Sequence, residues 1–110
     1  MGGRECYQIA AVYMSHVTDN VYKRLKKLGI TDGLIEEVRI PAEWGSKTQF
    51  QLPYKFKSVV RLEFIVNSEA RMRRAIEALK PPINRADGML SEYEEGVLSV
   101  DAQKMKLIKF

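Results

Sequence analysis

Apolar positions recur along this chain at two periods, and the places where one period gives way to the other mark its elements. Residues 5–14 alternate, with Tyr7, Ile9, Ala11 and Tyr13 on one face and Cys6, Gln8, Ala10, Val12 and Met14 on the other. Both faces are largely apolar, which predicts a strand inside a sheet. After Thr18-Asp19-Asn20, which offers N-cap chemistry, Val21, Leu25 and Leu28 fall at helical spacing with Lys23, Arg24, Lys26 and Lys27 between them. Gly29 closes the pattern, so a short helix with a basic outer face is predicted over 19–28.

Thr31-Asp32-Gly33 reads as a turn. Residues 34–40 then read as a strand with Leu34, Val38 and Ile40 on one face, interrupted by Pro41. Between 41 and 55, Gly45-Ser46 is a turn signal, and Thr48, Phe50 and Leu52 alternate with glutamines, as in a long hairpin arm. The clearest strand is 56–66: Phe56, Ser58, Val60, Leu62, Phe64 and Val66 face one way, and Lys57, Val59, Arg61, Glu63 and Ile65 the other. The clearest helix follows, with Ser68 as N-cap, Glu69 in its first turn, Met72, Ala75, Ile76 and Leu79 as its apolar stripe, and Pro81-Pro82 as its stop. Met89–Tyr93 and Val97–Ala102 are expected to form a hairpin around Glu94-Glu95-Gly96, and the segment from Lys104 to Phe110 can extend the last strand.

The order β-α-β-β-α-β predicts a single α+β domain over 1–110, a ferredoxin-like antiparallel sheet with both helices on one face and an extra C-terminal hairpin strand. At 110 residues, 45% hydrophobic and 29% charged, the composition is that of a folded domain. A single cysteine, Cys6, excludes an internal disulfide and favours a reducing, cytoplasmic setting. No run approaches the roughly 18 apolar residues of a membrane span. The first residues lack the apolar run of a signal peptide. The net charge of +4 tilts the expectation toward an acidic partner, nucleic acid included.

Catalytic signals are thin. Cys6 and His16, each the sole residue of its type, stand ten positions apart on one predicted strand. At about 3.3 Å per residue that is roughly 30 Å, far outside hydrogen-bond reach. Zinc needs several Cys or His ligands, and the carboxylates Asp87, Glu92, Glu94 and Glu95 lack calcium-loop spacing, so no metal and no cofactor is expected. Binding signals are richer. Trp44, Phe50 and Tyr54 stand beside Lys47, Lys55 and Lys57, a mixture that suits a protein interface or base stacking with phosphate neutralisation. The basic helix positions Lys23, Arg24, Lys26, Lys27, Arg71, Arg73 and Arg74 are candidate phosphate contacts.

From residue 56 onward the chain resembles the small dimerising subunit of the KEOPS complex, which makes threonylcarbamoyladenosine in tRNA. The resemblance rests on an apolar strand, a helix opening with Ser68-Glu69 and closing with Ala78-Leu79-Lys80-Pro81, a turn at Gly96, and the strand motif Leu98-Ser99-Val100. It implies a dimerising, non-catalytic subunit and assigns no catalytic residue. The resulting expectation is a non-enzymatic adaptor, a homodimer or a subunit of an RNA-handling complex. The alternatives are a stand-alone RNA- or DNA-binding module and a small enzyme without a recognisable motif.

Cys6→Ala and His16→Gln, made separately, should therefore leave the activity of the protein intact. A variant that folds but has lost activity would refute the non-catalytic reading.

Overall fold

A computed structural model describes residues 4–41, 56–80 and 92–110. Strand β1 (Arg4–Met14) leads through a 3-10 turn (Ser15–Val17) into helix α1 (Thr18–Lys26), and strand β2 (Leu34–Pro41) follows. Strand β3 (Phe56–Val66), helix α2 (Glu69–Leu79), a short helix α3 (Glu92–Gly96) and strand β4 (Val97–Leu107) complete the order. The four strands form one antiparallel sheet in the order β2-β3-β1-β4, the ferredoxin-like arrangement.

The expected alternation of β1 and β3 sets the register between them. Ile9 lies opposite Phe64, Ala11 opposite Leu62 and Tyr13 opposite Val60, so the apolar sets of both strands share one face. The helices pack on that face. Val21 and Leu25 of α1 and Ala75 and Leu79 of α2 are buried in one cluster with Ile9, Tyr13, Leu62, Phe64 and Val66. Met72 packs at the margin of this cluster, while Ile76 is only half-buried.

Local signals explain most boundaries. The Ser68 hydroxyl accepts a hydrogen bond from the Arg71 N–H at 3.2 Å, and α2 ends one residue before the pair Lys80-Pro81, where proline disfavours further helix. Gly29 takes φ +78°, the left-handed region that favours glycine. Its N–H donates to the Lys26 carbonyl and that of Ile30 to the Leu25 carbonyl, which closes α1 as a Schellman motif.

Three details differ from the sequence reading. Thr18 opens α1 but does not cap it, because its hydroxyl donates back to the Ser15 carbonyl at 2.7 Å. Val17 occupies the cap position and is almost fully buried. Burying a valine is worth about 1.5–3 kcal/mol, against about 1 kcal/mol for a typical cap, so packing wins. The hairpin around Gly96 is absent from the described residues: 92–96 form α3, residues 89–91 lie outside the described set, and β4 is one long strand paired with β1. Gly96 instead permits close packing, since a Cβ there would lie 2.5 Å from Val17 Cγ1. Finally, Pro41 is the last residue of β2, paired with Phe56, where a proline's missing N–H does least harm.

Phe64 sits at the centre of the shared face. Phe64→Ala should lower the unfolding free energy by about 3–5 kcal/mol, measured by urea denaturation. A loss under about 1 kcal/mol would mean that the strand register is wrong.

Candidate functional site

Both long helices lie on one face of the sheet, and no described element covers the other. Strand alternation places Leu34 and Val38 of β2, Ile65 of β3, and Met105 and Leu107 of β4 on this open face. Leu34 is 74% exposed, and Ile65 and Leu107 are each 64% exposed. The middle of the face is polar. The Gln8 amide donates to the Glu63 carboxylate at 2.9 Å, and Arg61 pairs with the same carboxylate. Apolar margins around a satisfied polar centre suit contact with another protein surface.

Two pockets meet at Asp32 and Gly33, before the start of β2. One, of about 330 Å³, lies between α1 and the sheet edge, with Tyr22, Leu25, Ile30, Ile35 and Leu62 as apolar walls and Lys26 as its sole cation. The other, of about 370 Å³, opens on the uncovered face beside Gln8, Leu34, Glu63 and Ile65. Its charged residues, Asp32 and Glu63, are both acidic, so it does not attract anions. Neither pocket was evident from the sequence. An apolar strand residue left uncovered, such as Ile35, becomes visible only once α1 is placed.

The basic helix positions divide by role. The Arg24 guanidinium donates to the Ala78 carbonyl at 2.9 Å and lies 3.9 Å from the centroid of the Tyr93 ring. Arg71 donates to the Leu28 carbonyl at 3.1 Å, and Arg73 pairs with Glu69 at 2.8 Å. Lys23 is exposed, and Lys26 lines the pocket between α1 and the sheet edge. Lys27 and Arg74 come together with Arg71 around a third, smaller pocket. The expected contact residues Trp44, Lys47, Phe50, Tyr54 and Lys55 lie outside the described residues, and Lys57 lies in β3 opposite Ile40. Cys6 lies near the start of β1, and His16 lies beyond the strand's far end. Among the described residues no group of His, Cys, Asp and Glu is arranged to hold a metal ion, and no helix is long and apolar enough to cross a membrane.

Two tyrosines, Tyr13 of β1 and Tyr93 of α3, are buried in the core. The Tyr93 hydroxyl donates to the Leu79 carbonyl at 2.9 Å. Tyr13 is fully buried, and its hydroxyl finds no well-formed hydrogen bond among the described residues. Burial pushes both phenols above their ordinary value. Nearby Tyr22 adds to the effect at Tyr13, and the Arg24 charge opposes it at Tyr93.

No family model matches the chain, and no curated protein matches it in sequence. Solved structures do share its fold. The ATP complex of Bacillus subtilis GlnK aligns at a TM-score of 0.57 and 13% identity, over 92% of this chain and 83% of that one. A Thermus thermophilus protein described as PII-like and signalling gives 0.57 and 16%, over 98% and 94%. Arabidopsis thaliana PII bound to citrate gives 0.51 and 19%, over 90% and 76%.

These likenesses show the fold, and they overturn the resemblance to the KEOPS subunit. The structural neighbours are PII and GlnK proteins, and no sequence match to KEOPS exists. The motifs behind that resemblance are what any strand, capped helix and strand require: an N-cap serine, a proline stop and an apolar strand. The RNA-handling and tRNA-processing expectations fall with it. Arg24, one of the candidate phosphate contacts, is taken up by the Ala78 carbonyl and the Tyr93 ring.

The raised phenol values have a consequence at high pH. The folded state holds Tyr13 and Tyr93 neutral, so their contribution is complete below the ordinary value of 10.0 and is lost as pH climbs from there toward the folded values. Stability should therefore fall by up to about 1.4 kcal/mol per pH unit for each such phenol. Of the 5 tyrosines, Tyr13 and Tyr93 should ionise at higher pH than an ordinary phenol. An ultraviolet titration in which all of them ionise together near the ordinary value, with the circular dichroism unchanged, would contradict their burial.

Proposed function

We propose that this protein is a non-enzymatic regulatory adaptor, acting as a homo-oligomer or within a larger complex, and that residues 41–57 are its principal partner contact. The observation that carries this reading is the end of the β2–β3 ladder. Pro41 and Phe56 are paired neighbours on adjacent antiparallel strands, which a two-residue turn can join. The chain instead spends residues 42–55 on the connection and places Trp44, Phe50 and Tyr54 there beside Lys47 and Lys55. Long connections in small domains are commonly functional, and Trp and Tyr are typical interface anchors.

Two further facts support it. A fold neighbour is described as a signalling protein, and none of the three structures named above is described as an enzyme. The open face of the sheet offers exposed Leu34, Ile65 and Leu107 as a second surface on which subunits can meet.

The double substitution Trp44→Ala and Phe50→Ala should weaken partner association at least about tenfold and leave the thermal transition and circular dichroism unchanged. Sedimentation reports self-assembly, and affinity purification from the native host supplies the partner. Retained assembly and affinity, or simple unfolding, would defeat the proposal.

A further inference from the structure

The pocket between the end of α1 and the start of α2 differs in chemistry from the other two. It measures about 170 Å³ and is lined by Lys27, Leu28, Ile30, Arg71 and Arg74. Its lining holds three cations and no carboxylate. Arg71 and Arg74 are three residues apart on α2, so they share a helix face. Lys27 reaches the same space from the end of α1.

An ordinary explanation for cations here is the negative end of the α1 dipole. Several carbonyls at that end are already engaged. Leu25 and Lys26 accept from the Ile30 and Gly29 N–H groups, and Leu28 accepts from Arg71. Lys27 and Arg74 are left over. The ion pairs found among the described residues, Arg61–Glu63, Arg73–Glu69 and Lys104–Glu5, use none of the three pocket cations. Holding three like charges around one small space is unfavourable unless something negative enters it.

The geometry points to this pocket as a binding site for a phosphate group. Arg71 is half-buried and its guanidinium is fixed by the Leu28 carbonyl, so its remaining N–H groups are oriented in advance. Half-buried Leu28 and Ile30 form an apolar wall that strengthens charge-assisted bonds. The pocket, of about 170 Å³, has room for one phosphate group. The group arrives either as a free anion or as the end of a polyphosphate chain whose remainder stays outside. This site is separate from residues 41–57 and does not depend on the partner contact proposed there.

Titration of the full chain with pyrophosphate and, separately, with ATP at physiological ionic strength tests it. Calorimetry measures affinity, and amide NMR shifts at Gly29 and Arg71 report the location. Arg74→Ala and Lys27→Ala should each weaken binding about tenfold. Arg73→Ala, whose side chain pairs with Glu69 on the exposed surface, should leave it unchanged. Equal affinity for pyrophosphate and ATP identifies a free phosphate as sufficient. Tighter ATP binding that is still lost in Arg74→Ala identifies a nucleotide tail as the source. No pyrophosphate binding, or equal weakening by Arg73→Ala and Arg74→Ala, overturns the assignment.

Discussion

The pairing of β1 with β3 along one edge and with β4 along the other decides where everything else can sit. Because side chains alternate strictly, sliding either partner by one residue would turn its core-facing set outward. For β3 that set is Val60, Leu62, Phe64 and Val66, all buried. At about 1.5–3 kcal/mol per large side chain, exposing the four would remove most of the roughly 5–15 kcal/mol that holds a domain together. With the register fixed, both helical crossovers return over the same side. The uncovered face and its exposed leucines and isoleucine follow from that geometry.

The two long helices then complete one another. Each C-terminal end has carbonyls without helical partners. Arg24 of α1 and Tyr93 of α3 serve the last turn of α2, while Arg71 of α2 serves the end of α1. The helices run antiparallel, so each can lend an arginine to the other's end. A hydrogen bond from a charged donor is worth about 1.5–3 kcal/mol, comparable to burying an additional aliphatic side chain. These bonds also limit how far the helices can slide, which keeps Lys27 beside Arg74 across the small pocket.

What the sequence disclosed was what local spacing encodes. β3 and α2 were legible because a strict alternation passes into an i, i+3, i+4, i+7 stripe at a serine cap, and each signal points to the same core. α3 was not, because Glu92-Tyr-Glu-Glu-Gly is too short for a period and its glycine reads as a turn. Its purpose emerges only when Tyr93 meets Leu79 and Arg24 from distant parts of the chain. The arginines mislead for the same reason. On one helix a basic stripe looks like solvated surface, and nothing nearby in sequence announces a carbonyl 54 or 43 residues away. The pocket of Lys27, Arg71 and Arg74 likewise combines two stripes whose meeting is a tertiary fact, although charge alone marks each residue for phosphate. The family resemblance failed where its motifs described architecture and not chemistry.

The ladder between β2 and β3 closes at Pro41 and Phe56, and its register is held by side-chain rows much deeper in the sheet. The described pairs of the ladder themselves align the two strands. Lengthening such a connection costs little, about 0.6 kcal/mol for each doubling. Over evolutionary time residues 42–55 can lengthen, shorten or change composition while the scaffold beneath them stays the same. With this segment as the partner contact proposed above, partners can diversify by rewriting it alone, and two descendants of this chain could keep superimposable sheets while answering to unrelated proteins.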